Sequence, residues 1–145
     1  TTVYGQDIYG EKMLPKLLRE LCKISGIQWI RILYCYPEEI TEELIQTMKE
    51  EPKICHYLDL PIQHASDAIL KKMGRRTSKA QLIETIEKLR AAMPDIALRT
   101  TLITGFPGET QEDHEELKEF VDEIGEEIIL APGSDGLEIY DDYRE

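Results

Sequence analysis

An apolar, β-branched run that glycine and proline break at once constrains this chain more than any other stretch. Leu98 to Thr110 reads LRTTLITGFPGET. Its first half suits a buried strand, Gly105, Pro107 and Gly108 turn the chain, and Thr110 opens a polar helix. A strand that ends in a glycine turn and feeds a helix is where parallel α/β folds keep their ligands.

The rest of the 145 residues repeats that rhythm. Leu14, Leu17, Leu18, Leu21 and Ile24 form a helical stripe over Met13 to Ile24, closed by Ser25 and Gly26. Trp29, Ile30, Ile32, Leu33 and Tyr34 run too continuously for a one-sided sheet, so a strand buried on both faces is expected. Thr41 caps a helix whose inner face is Leu44, Ile45 and Met48. Ile54 to Leu60 predicts a second strand, Ala68 to Met73 a short helix, and Ser78 with Gln81 a capping box for a helix through Met93. After the third strand, Thr110 and Asp113 cap a helix with Leu117, Phe120, Val121 and Ile124 on its inner side. Thr1 to Gly10 reads as a loop. Strands alternating with helices give an α/β fold with a parallel sheet, and three such strands make half a barrel. Tyr34 to Pro37, Asp59 to His64 and Thr104 to Glu109 should then converge at the ligand end.

Gly105 and Gly108 let a ligand approach the backbone, and Phe106 offers an apolar wall. Glu109, near a helix N-terminus, has a simple capping role as its alternative. Arg99 must reach a carboxylate, a phosphate or the end of the sheet, with an internal ion pair to Asp59 as the alternative. Gln63 suits hydrogen bonding to a ribose or an amino acid. His64 reads as a packed or solvent-facing histidine rather than a catalytic one, since no carboxylate or serine nearby makes a nucleophilic set, and His56 and His114 as structural or exposed. Glu38, Glu39, Glu126 and Glu127 read as solvated charge.

With 17 basic and 29 acidic residues the net charge is -12, which argues against nonspecific nucleic-acid binding. Lys71 to Arg76 is the one basic candidate patch. No apolar run suits a membrane helix, and a cytoplasmic location is expected. Cys22, Cys35 and Cys55 lie far apart and read as reduced thiols.

TTVYGQDIYG, RILYCYPEEI, YLDLPIQHAS, ILKKMGRRTS and LRTTLITGFPGET, in this order, resemble the middle of the radical S-adenosylmethionine (radical SAM) methylthiotransferases. The likeness covers residues 1–123. It is closest to the branch that adds a methylthio group to an aspartate side chain of a small-subunit ribosomal protein, the RimO enzymes. Gln63, His64 and Ala65 stand where the tRNA-modifying branch carries a serine-glycine pair. The resemblance implies a partial, TIM-like β/α barrel, second half only. It also implies S-adenosylmethionine and 4Fe-4S clusters as cofactors and a ribosomal protein as substrate. The cofactor-binding residues it points to are Gln63, Arg99, Thr101, Gly105, Phe106, Pro107, Gly108 and Glu109.

The family's Cys-x-x-x-Cys-x-x-Cys motif is expected upstream of Thr1, so no metal ligand and no catalytic residue is assigned here, and this piece alone should be inactive. From Ile124 to Glu145 the chain departs from the family pattern, with seven acidic residues and one arginine. That tail offers a candidate strand at Ile128 to Leu130 and a turn at Pro132 to Gly136. Two other readings stand beside the enzyme fragment. One is a half-barrel assembly module that self-associates through exposed strand edges, and the other is an independent α/β enzyme for a phosphorylated ligand.

Overall fold

The structure is a computed structural model that describes residues 1–124 and the strand Ile128–Leu130. The elements run α1 (Gln6–Tyr9), α2 (Leu14–Cys22), β1 (Ile30–Ile32), a 3-10 turn (Pro37–Glu39), α3 (Glu42–Glu50), β2 (Ile54–Asp59), α4 (Asp67–Lys72), α5 (Lys79–Ala92), β3 (Ala97–Thr100), α6 (Gln111–Ile124) and β4 (Ile128–Leu130). The strands form one parallel sheet in the order β1-β2-β3-β4. Consecutive order with right-handed crossovers keeps the helices on one face, so the sheet is an open arc of a β/α barrel rather than a doubly wound fold. The strand expected at Ile128 to Leu130 is β4. The turn expected at Pro132 to Gly136 lies outside the described residues, as do Glu126 and Glu127.

Local chemistry starts the helices where the caps predict. Thr41 Oγ1 accepts the Leu44 N–H at 3.2 Å. The Ser78 capping box closes both ways, at 3.3 Å from the Gln81 N–H and 2.9 Å back to Gln81 Oε1. Thr110 and Asp113 exchange the same kind of bonds at the head of α6. Ser66 caps α4, accepting from the Ile69 N–H; a serine followed by aspartate just before an apolar turn was the available signal.

Register then sorts the faces. Ile32 pairs with Leu58 and Leu58 with Leu98, and all three are buried. They pack with Met48, Leu82, Leu89, Leu117 and Phe120 into one core beneath the helices, where each large apolar side chain is worth about 1.5–3 kcal/mol. The alternate residues Tyr57, Asp59, Ala97 and Arg99 project from the opposite face.

Three expectations need correction. Residues 1–10 include the helical turn α1. The α2 helix stops at Cys22, and Ile24 is exposed beyond it. The first strand is not buried on both faces: Trp29 is 83% exposed and Tyr34 72%, and only Ile32 of β1 is buried. The reason is position, since β1 is the edge of the described sheet and has a neighbour on one side only.

Candidate functional site

The loops after β1, β2 and β3 meet at the C-terminal end of the sheet. The hub is Asp59, the last residue of β2, which is 2% exposed. Its Oδ1 receives Arg99 Nη1 at 2.7 Å, its Oδ2 receives the Tyr34 N–H at 3.4 Å, and its carbonyl receives the Cys35 N–H at 2.8 Å. One residue therefore ties three strand ends together. Arg99 is part-exposed while holding this pair, so the internal ion pair weighed from the sequence exists and the rest of the guanidinium faces outward. The phosphate-ligand reading loses part of its anion receptor to that pair.

Beyond Asp59 the β2 chain bends through Gln63, whose φ is 71°. The His64 N–H reaches the Ile62 carbonyl at 2.9 Å, which makes a γ-turn centred on Gln63, a rare and strained form. Both backbone groups of Gln63 are held by the extension of β3, its N–H on the Thr101 carbonyl at 3.0 Å and its carbonyl on the Ile103 N–H at 2.8 Å. Among the described residues Tyr34 is the other non-glycine residue with positive φ, at 58°, and it too follows a strand end. Strained backbone that clusters in this way is a common mark of a functional end. Thr100 fastens the two loops from below, since its Oγ1 donates to the Leu60 carbonyl at 2.9 Å and accepts the Ile62 N–H at 3.2 Å.

The glycine turn has the backbone its sequence requires. Gly105 and Gly108 have φ of 75° and 85°. Beside Gly105 a Cβ would meet nothing within 4 Å, which leaves open space at the turn, whereas at Gly108 it would come within 2.8 Å of Lys72 Nζ. Phe106 is half-buried and Pro107 exposed. Glu109 folds inward with its side chain 6% exposed. Its Oε2 accepts the Phe106 N–H at 2.8 Å, while Oε1 lies 3.3 Å from His114 Nδ1 and 3.6 Å from His64 Nε2. Burial pushes the Glu109 carboxyl up, but the Phe106 N–H, His114 and His64 together hold it below the ordinary glutamate value.

Sequence reasoning missed the carboxylate beside His64. His64 is fully buried, the packed and not the solvent-facing alternative, and it faces Glu109 and accepts the Ser66 N–H on Nδ1 at 3.0 Å. Glu39 is also no solvated charge. Lys12 and Arg76 hold it at 2.5 and 2.8 Å and keep its carboxyl below the ordinary value. Three of the four cations of the basic patch are engaged in the same way: Lys72 donates to the Gly108 carbonyl, Arg75 to the Pro61 carbonyl and Arg76 to Glu39. His56 pairs with Asp95 at 2.6 Å, far from these loops in the chain.

The donors present suit a polar organic ligand with a flat group. Open space lies at Gly105, and Gln63 and Arg99 are half-buried at the ends of the neighbouring strands. The thiols do not suit a metal cluster. Cys22 is on α2, Cys55 on β2, and Cys35 is buried, which raises its thiol to about 11. Among the described residues no three His, Cys, Asp or Glu side chains come together to hold a metal, and no helix is long and apolar enough to cross a membrane.

Comparison with known proteins adds a profile and a set of relatives. The profile described as the Radical SAM superfamily matches residues 1–121. A "Ribosomal protein uS12 methylthiotransferase RimO" of Lachnoclostridium phytofermentans is 73% identical over 121 residues, covering 83% of this chain and 28% of that protein. The protein of the same description in Alkaliphilus oremlandii is 59% identical over 123 residues, covering 85% of this chain and 28% of its own length. In Clostridium botulinum strain Langeland the identity is 57% over 124 residues, covering 86% and 28%. The chain thus spans little more than a quarter of the curated relatives it matches.

Proposed function

The chain belongs to the Radical SAM superfamily, and from that premise we propose that it forms one wall of the S-adenosylmethionine site of a RimO-type methylthiotransferase. The observation that carries this reading is the turn at Gly105 to Gly108, left-handed at both glycines, beside open space and at the ligand end of a parallel sheet. When bound, S-adenosylmethionine supplies the hydrogen-abstracting group and the methyl group. This chain's residues bind and orient it. Gly105, Phe106, Pro107 and Gly108 take the flat adenine side. Gln63, Thr101 and the outward part of Arg99 take the ribose and amino-acid part, with Glu109 fixing the turn they share.

A 4Fe-4S cluster belongs to the same reading of the whole enzyme, but the cysteines here do not fit it, and no step is derived through it. The substrate proposed for the whole protein is an aspartate side chain of ribosomal protein uS12, in the cytoplasm. Residues 1–123 form the radical SAM portion and 124–145 a segment apart from the family pattern.

Titrating the full chain with S-adenosylhomocysteine by calorimetry tests the wall directly. One binding site is expected, and Gly105→Ala should weaken it by about tenfold, because alanine is strained at a φ of 75° and its methyl group enters the open space beside the turn. Absence of binding would overturn the cofactor reading. Incubation of the whole enzyme with uS12 should add the mass of one methylthio group, and unmodified uS12 would sink the substrate assignment.

A further inference from the structure

The pair that the proposed chemistry leaves unused lies behind the glycine turn. His64 is wholly buried on the loop after β2, and among the described residues its Nε2 has no hydrogen-bond partner within 3.5 Å, although Glu109 Oε1 lies only 3.6 Å away. The other ring nitrogen decides the tautomer. Nδ1 accepts the Ser66 N–H at 3.0 Å, so the neutral ring carries its proton on Nε2, pointing at Glu109. The same carboxylate holds the Phe106 N–H through Oε2. A second strut runs alongside: Ser66 Oγ donates to Asp113 Oδ1 at 2.5 Å, and Asp113 Oδ2 holds Thr110 through its N–H and Oγ1. The loop after β2 and the turn after β3 are thus bridged by the close approach of His64 to Glu109 and by the Ser66–Asp113 hydrogen bond, side-chain contacts that add to the backbone bonds of Gln63 with Thr101 and Ile103.

We infer that His64 is a positioning residue, which acts through Glu109 to set the Gly105–Gly108 turn at the height the ligand requires. The groups that face the pair are His114 Nδ1 from α6, the Phe106 N–H from the turn and the Ser66 N–H from the β2 loop. Of these, His114 also reaches Glu109 Oε1, at 3.3 Å from the part-exposed side, whereas His64 approaches the same oxygen from the buried side. Removing the His64 proton leaves a buried carboxylate oxygen with one imidazole at the rim instead of two, and the turn can then relax outward. Phe106 and Gly105 move with Glu109 because a single side chain links them. The consequence for binding rests on the cofactor reading above; the clamp itself does not.

Three measurements on the full chain decide it. Nitrogen-15 NMR of labelled histidine should report a protonated Nε2 and a bare Nδ1 for His64. The Phe106 amide should exchange about tenfold faster in His64→Phe, and His64→Gln, which can still offer a donor to Glu109, should restore most of the protection. S-adenosylhomocysteine affinity should follow the same order, falling about tenfold in His64→Phe and recovering in His64→Gln. A proton on Nδ1, or equal Phe106 exchange in all three proteins, overturns the clamp even if the ligand binds. A ligand that fails to bind the wild-type chain overturns the cofactor reading and the binding role together, while tautomer and exchange still judge the clamp.

Discussion

Among the described carboxylates, Asp113 is the one held furthest below its ordinary value. The Ser66 hydroxyl, then the Thr110 N–H and hydroxyl, bring its carboxyl down to about 2. A carboxylate depressed in the folded state adds stability above its unfolded value of about 3.9, and that stability is lost as the pH falls through the folded value. The melting temperature should therefore drop as the pH falls from about 4 to 2, and Asp113→Asn should flatten that stretch of the curve. A steep fall that survives the substitution would assign the acid sensitivity elsewhere. Half of this arrangement is legible in the sequence, because Thr110 and Asp113 are three residues apart and form a cap by local rules. The Ser66 half is not, because it closes across a whole crossover, between residues 47 apart in the chain. His64 and Glu109 escaped detection for the same reason: neither residue type carries information about a partner so distant in the chain.

Helices here are specified mainly at their beginnings. Thr41, Ser78 and Thr110 each sit where the cap expected of them closes, and the helix bounds follow within a residue or two. Ser78→Ala removes the Oγ acceptor of the box at α5 and should cost about 1 kcal/mol in urea denaturation, whereas Ser78→Asp should cost only a fraction of that. Equal losses for the two would show that the hydroxyl is not acting as a cap. Strands were read less well, β1 worst of all. An apolar run tells how a strand could be buried but not whether neighbours flank it, and the exposure of Trp29, Leu33 and Tyr34 depends on the latter. β2, with partners on both sides, matched its expected span to within a residue, whereas β3 stops at Thr100 and only Leu102 beyond it keeps an isolated bridge to Gln63.

As a whole, the molecule is an arc of barrel whose described sheet has an open edge at β1, flanked by exposed Trp29, Leu33 and Tyr34. Unpaired strand edges with apolar flanks associate. Sedimentation should show a monomer at low concentration and larger species as concentration rises, and Leu33→Lys should shift that balance toward monomer. Unchanged association in the variant would place the contact elsewhere. The acidic excess of the chain opposes close approach of copies, so added salt should favour association. The consecutive strand order has a different reach. Each strand lies beside the one that precedes it in the chain, so no segment is threaded between two others. Such an architecture is modular in inheritance: whole strand-and-helix units can be gained, lost or exchanged at its margins by recombination, and the remaining units keep their seams. A cut at the Pro94–Asp95 turn would leave two sets of intact units facing one another across β2 and β3, the kind of boundary at which ancestral genes can be joined.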